Sequence, residues 1–168
     1  IVVAPAIPKL AARPDLAIVC TPSGTLAEVV GQLAAVGPRA VLVLPAGVAA
    51  ALKQRLRDLA RPTTMRLLGP NCLGLLSPAL GLNASFAHTG AIAGNVAFVS
   101  QSGALVTAVL DWAKSRQVGF SHMVSLGEHM DVDFGDLLDH LASDAATRAI
   151  LLYIESIESP RKFMSAAR

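Results

Sequence analysis

Short apolar runs alternate along this chain with stretches in which apolar residues recur every three or four positions. Leu16–Cys20 is an apolar run of strand length, followed by the turn residues Thr21, Pro22, Ser23 and Gly24. Thr25–Val36 has helical spacing and stops at Gly37-Pro38. Ala40–Leu44 reads as the next strand, Val48–Ala60 as a helix through Leu52, Leu56 and Leu59, and Met65–Leu68 as a short strand. The strands are apolar at consecutive positions, the pattern of a parallel sheet covered on both faces. Strand–helix alternation with short connections predicts such a sheet with helices on both sides.

Leu75–Gly94 interrupts the rhythm. Ser77-Pro78, Gly81, Asn83, Gly90 and Gly94 leave no sustained period there, and the stretch reads as a linker. A second series follows: strand Val96–Ser100, helix Ala104–Arg116, strand Phe120–Ser125, helix Phe134–Ala142, strand Ala149–Ile154, and a last helix entered at Pro160. The expected architecture is α/β, two doubly wound parallel-sheet domains, 1–92 with the linker and 93–168. The chain starts at Ile1 inside an apolar run and stops at Arg168 inside a helical pattern, so both domains read as incomplete pieces of a longer protein.

Composition narrows the function classes. Hydrophobic residues make up 53% of the 168 positions and charged ones 15%, ample for a core, while aromatics are only 4%. A net charge of +2 with no basic stripe argues against nucleic acid. No apolar run approaches the ~20 residues of a membrane helix. Cys20 and Cys72 form no CxxC or Cys/His group, which fits a reducing, cytoplasmic setting better than a disulfide framework or a zinc site.

The sharpest signal is Val96–Leu105. A buried strand ends at Ser100-Gln101-Ser102-Gly103 and hands over to a helix carrying Leu105, Ala108, Val109 and Trp112 on one stripe. The first N–H groups of a helix lack internal acceptors, and its dipole favours an anion there. The turn therefore reads as a phosphate or carboxylate site. In open parallel sheets ligands collect at the C-terminal strand ends. Those ends here are Thr21-Pro22-Ser23, Pro45-Ala46-Gly47, Pro70-Asn71-Cys72, Ser100–Gly103, Ser125–Glu128 and Glu155-Ser156. Each alone is also ordinary turn chemistry. Gly69–Gly74 reads equally as a rigid turn or as an Asn71 amide aimed at a ligand. Glu155 ends an apolar strand and reads either as an exposed strand-end acid or as a carboxylate that orients a histidine.

The histidines are weaker candidates. His88 reads as an exposed loop residue, His140 as part of a solvated helix face and His122 as a core histidine. His129 stands at a strand end, where a catalytic role is open. Asp131, Asp133 and Asp136 suggest a metal run, but capping of the next helix explains Asp133 and Asp136 better.

In this order, Leu68–Gly74, Val96–Leu105 and Ala149–Glu155 resemble the NDP-forming acyl-CoA synthetases, with support from Asn83–Phe86, Leu110–Ala113 and Asp131–Asp133. The likeness is greatest to the bacterial branch fused to a GNAT protein acetyltransferase domain. The resemblance implies a Rossmann-like CoA-binding domain followed by a flavodoxin-like succinyl-CoA-ligase domain. It implies CoA or acyl-CoA along Thr21, Pro22, Ser23, Pro45, Ala46, Gly47, Pro70, Asn71 and Cys72. It places phosphate at Ser100, Gln101, Ser102 and Gly103, and matches Glu155 to a glutamate that steadies a phosphohistidine. ATP/ADP with Mg and an ATP-grasp partner belong to the whole family enzyme. The phosphohistidine motif would lie beyond Arg168 and the glycine-rich CoA loop before Ile1, so the 168 residues alone are expected to be inactive. His88, in the wrong place for that motif, receives no such role. A regulatory alternative, an acyl-CoA sensor attached to a GNAT domain, would use the same loops. A dinucleotide-binding dehydrogenase reading finds no GxGxxG in support.

Overall fold

The structure, a computed structural model, describes residues 4–168. It holds two sheets. The first is parallel, in the order β1 (Leu16–Val19), β2 (Ala40–Val43), β3 (Arg66–Leu68), joined through α1 (Leu26–Val36) and α2 (Ala50–Ala60). Helix α1 stops where Gly37 takes a left-handed conformation, φ 80°, and its N–H caps Leu33. The second sheet has the order β5-β4-β7-β6-β8. Its parallel centre is β6 (Ala93–Ser100), flanked by β7 (Phe120–Ser125) and β8 (Ala149–Tyr153). Helices α3 (Gly103–Ser115), α4 (Phe134–Ala142) and α5 (Pro160–Ala166) complete this half.

The linker expected over Leu75–Gly94 is instead built into the second sheet. β4 (Gly74–Ser77) pairs antiparallel with β7, and β5 (Leu82–Ser85) pairs antiparallel with β4. The sheet is therefore mixed rather than wholly parallel. Four-residue strands around a Pro-Gly turn are too short to show a period of two. Gly74 is required where the hairpin begins: its φ is 111°, and a Cβ there would lie 2.2 Å from the Ala84 oxygen.

Burial explains how the halves meet. On one face of the first sheet Val41, Val43 and Leu67 pack against Leu26, Val30 and Leu56 of α1 and α2. On the other face Leu42 and Leu68 share a core with Leu126, Phe134 and Leu141 of the second half. So the first sheet has helices on one face only, and the second half of the molecule covers the other. In the second sheet α3 covers Phe98, Phe120 and Met123, while Val99 and Val124 belong to the core shared with α4. β8 lies at the edge, with Leu151 and Tyr153 exposed.

The segment after β7 locks the halves together. Glu128 N–H donates to Pro70 C=O at 2.9 Å, Met130 N–H to Gly69 C=O at 3.0 Å and Val132 N–H to Leu67 C=O at 3.1 Å. The Lys53 ammonium bonds Glu128 Oε2 at 2.9 Å, and Arg57 donates to Met130 C=O at 3.1 Å. Among the described residues no helix is long and apolar enough to cross a membrane.

Candidate functional site

The C-terminal ends of both sheets open onto one cleft of about 720 Å³. Leu44, Ala46, Asn71, Cys72 and Leu73 line it from the first half and Gln101, Ser102, Gly103, Ala104 and Glu155 from the second, with Phe86 and Thr107 at its side. Of the residues singled out from sequence, Ala46, Asn71, Cys72, Gln101, Ser102, Gly103 and Glu155 thus meet in one place. Thr21, Pro22, Ser23, Pro45, Gly47, Pro70 and Ser100 do not line this cleft.

The Ser100–Gly103 turn is built from its own hydroxyls. Ser100 is fully buried; its Oγ accepts from Ser102 N–H at 3.0 Å and donates to Ser102 C=O at 2.9 Å. Ser102 is the N-cap of α3, its Oγ accepting from Leu105 N–H at 3.2 Å. The first intrahelical bond runs from Val106 N–H to Ser102 C=O. Ahead of it, the Gly103 and Ala104 N–H groups find no acceptor among the described residues, and both residues line the cleft. These two amides, more than the hydroxyls, are the free donors of the turn. Gly103 also lets the helix start approach its neighbour: a Cβ there would stand 3.4 Å from Leu73 Cβ.

Gln101 serves the opposite wall. Its Oε1 accepts from the Ser156 N–H at 3.0 Å and from the Glu155 N–H, while its Nε2 donates to Ser156 Oγ at 3.1 Å. The buried Gln101 amide thus fixes the turn that carries the exposed Glu155 carboxylate. Asn71 is exposed with φ 57°, its backbone N–H held by Pro45 C=O at 2.9 Å. Its side-chain amide therefore stands at the cleft while the backbone is anchored. Cys72 is buried, its thiol donating to Val43 C=O at 3.5 Å. Burial raises the thiol pKa to about 11, so it is a neutral packing group at ordinary pH.

The sequence missed Phe86, Leu44, Leu73, Ala104 and Thr107. For Phe86 a signal existed: an aromatic residue isolated in a Ser/Gly/Asn stretch of an aromatic-poor chain. It is 66% exposed, with its N–H bonded to Leu73 C=O at 3.2 Å.

The acidic run is structural. Asp133 and Asp136 form a capping box at the start of α4. Arg66 and Lys162 pair with Asp136 at 3.0 and 2.7 Å, Arg66 with Asp131 at 3.1 Å, and Lys162 with Asp133 at 2.9 Å. Among the described residues no His, Cys, Asp and Glu side chains group as a metal site. His88 pairs with Asp111 at 2.8 Å. His122 is not a satisfied core histidine: its buried Nδ1 lacks a hydrogen-bond partner, although Asp144 stands 3.5 Å away. His129 is buried, with Nε2 3.3 Å from Ser156 Oγ.

Comparison with known proteins matches two family models along the chain. Residues 1–78 match the family model of a CoA binding domain, and residues 93–168 that of a succinyl-CoA ligase like flavodoxin domain. The ADP-forming acetate–CoA ligase I of Archaeoglobus fulgidus is 37% identical over 98% of this chain and 25% of its own length. The α subunit of the ADP-forming acetate–CoA ligase I of Pyrococcus furiosus is 34% identical over 92% of this chain and 35% of its own. Among solved structures, the acetyl-coenzyme A synthetase 1 of Ca. Korarchaeum cryptofilum in complex with phosphate and ADP superposes with a TM-score of 0.92. That match is 34% identical and covers 97% of this chain and 36% of the other. The chain spans between about a quarter and about a third of the lengths of these relatives.

Proposed function

This chain belongs to the NDP-forming acyl-CoA synthetase superfamily, and on that premise we propose that its cleft is the CoA-side half-site of an ADP-forming acyl-CoA ligase. One observation carries the reading: two unpaired helix-start amides, Gly103 and Ala104, share a cleft with the Asn71 loop and Glu155.

The residues fit such a ligand. Leu44, Ala46 and Leu73 offer an apolar wall for a thioester arm, and the Asn71 amide a polar contact on the same side. The Gly103 and Ala104 amides, with the dipole of a 13-residue helix behind them, suit a phosphate or the oxyanion formed at a thioester carbonyl. Bound CoA would present its acyl thioester between these two walls. Glu155 stands at the rim, where a carboxylate can orient an imidazole brought by another segment of the protein. In this reading the ATP/ADP chemistry with Mg belongs to an ATP-grasp domain or subunit of the whole protein. Residues 1–168 by themselves are accordingly proposed to be inactive.

Ser102→Asp tests the anion site. Aspartate caps helices as well as serine, so the fold is retained while a negative charge enters the cleft. In the whole protein, inorganic phosphate binding and phosphate-dependent cleavage of acetyl-CoA are expected to fall at least about tenfold. Unchanged turnover would remove the anion role from this turn. Acetyl-CoA binding with no turnover in the wild type would instead favour the acyl-CoA sensor of a GNAT acetyltransferase.

A further inference from the structure

Two buried polar side chains converge on one exposed turn. Gln101 and His129 are 9% and 5% exposed, and both spend their hydrogen bonds on Glu155-Ser156. Burying an imidazole and a carboxamide is unfavourable unless they are bonded. A strand-end turn in solvent needs no such support for its own sake. What the turn carries into the cleft is the Glu155 carboxylate.

Resting on the ligase reading above, we propose that His129 is a positioning residue for Glu155, acting through Ser156 and Gln101. The Gln101 Nε2 donates to Ser156 Oγ at 3.1 Å, which leaves this hydroxyl a proton and a second lone pair. The His129 Nε2 stands 3.3 Å from the same hydroxyl, which donates to it or accepts from it according to the ring tautomer. The other ring nitrogen, Nδ1, is buried and without a protein partner. Nδ1 belongs to a ring lining a cavity of about 10 Å³ beside Asp133 and Ser159, room for about one water.

The His129 ring is held at a fixed place. Its backbone takes φ 33°, its N–H bonds Leu126 C=O at 3.2 Å, and its ring lies 6.4 Å from that of Phe134. On either side, Glu128 and Met130 are bonded to Pro70 and Gly69, next to Asn71. The loop that lines the cleft from the first half and the carboxylate that lines it from the second are thus tied through one histidine. A shift of the Asn71 loop is passed to Glu155 through rigid hydrogen-bonded groups.

The test uses the whole protein with His129→Ala, His129→Gln and Ser156→Ala. Glutamine can place a donor or an acceptor where Nε2 stands, and Ser156 is exposed, so the last two variants are safe for folding. Amide exchange at Glu155 and Ser156 is expected to speed up about tenfold in the alanine variants and to stay near wild type in His129→Gln. The kcat for acetyl-CoA cleavage is expected to fall between about tenfold and about 100-fold with little change in KM for acetyl-CoA, and glutamine is expected to restore most of it. Unchanged exchange in both alanine variants overturns the proposal. So does faster exchange with unchanged kcat, or a loss that glutamine leaves unrepaired. If the wild type shows no ligase turnover, the ligase reading falls, and amide exchange alone then decides whether His129 orders this turn.

Discussion

Single side chains here are committed to backbone geometry before chemistry. Ser102 is the clearest case, since its hydroxyl is used up as the cap of α3. Ser102→Ala is expected to lower unfolding stability by about 1 kcal/mol in a denaturant titration, from loss of that cap. Gly127 is more constrained. Its φ is 58°, and a Cβ would lie 2.2 Å from the Pro70 oxygen in the contact that joins the halves. Gly127→Ala is therefore expected to cost about 2 kcal/mol or more by the same measurement. The two cysteines should separate by reactivity: exposed Cys20 alkylates readily in the folded protein, whereas Cys72, buried with its pKa raised to about 11, is expected to react only on unfolding. None of these contrasts follows from residue type, because backbone geometry decides the first two and burial the third.

At the scale of elements, α4 shows how a motif legible in sequence acquires its partners. The placement of Asp133 and Asp136 at the start of α4 was readable from spacing, but Arg66 and Lys162 come from 70 and 26 positions away from Asp136. Burial works against ionisation of Asp136; the Lys162 hydrogen bond, the Asp133 N–H and the Arg66 guanidinium outweigh it and hold its pKa below the usual carboxylate range. The folded state therefore favours the ionised form. Its contribution is complete above the unfolded-state value near pH 4 and is lost as pH falls through the depressed folded value. Asp136→Asn is expected to lower stability at pH 7 and to flatten the acid limb below about pH 4. His122, on β7, acts at higher pH. Burial lowers its pKa, opposed by Asp144 and aided by His140, so the fold favours the neutral ring. That stability is complete above about pH 6.5 and declines as pH falls below it, which urea midpoints at pH 7.5 and 5.5 would show and His122→Gln would remove. The β4–β5 hairpin lay at the other extreme. Its strand β4 pairs with β7 through contacts distant in sequence, and no local period announced either strand.

On the scale of the molecule, the shared core of Leu42, Leu68, Leu126, Phe134 and Leu141 makes the two halves one cooperative body. Thermal unfolding is expected to give a single transition, with calorimetric and van't Hoff enthalpies equal. Two separated transitions would show that this core is not shared in solution.

Apart from β4 and β5, the strand and helix positions were in the sequence, as were the α/β class, the turn at Ser100–Gly103 and the family likeness. They depend on period, on turn residues and on order along the chain, which are local properties. Which strand-end loops face one another was decided only in three dimensions. The β7–α4 segment crosses to Gly69 and Pro70, brings Asn71 opposite Gly103 and Glu155, and leaves Thr21–Ser23 outside the cleft. The use of Gln101 and His129 to hold the Glu155 turn was equally invisible, because a hydrogen bond between residues 27 or 55 positions apart has no signature in spacing. Packing of the first sheet against the second half selected those neighbours, and with them the site.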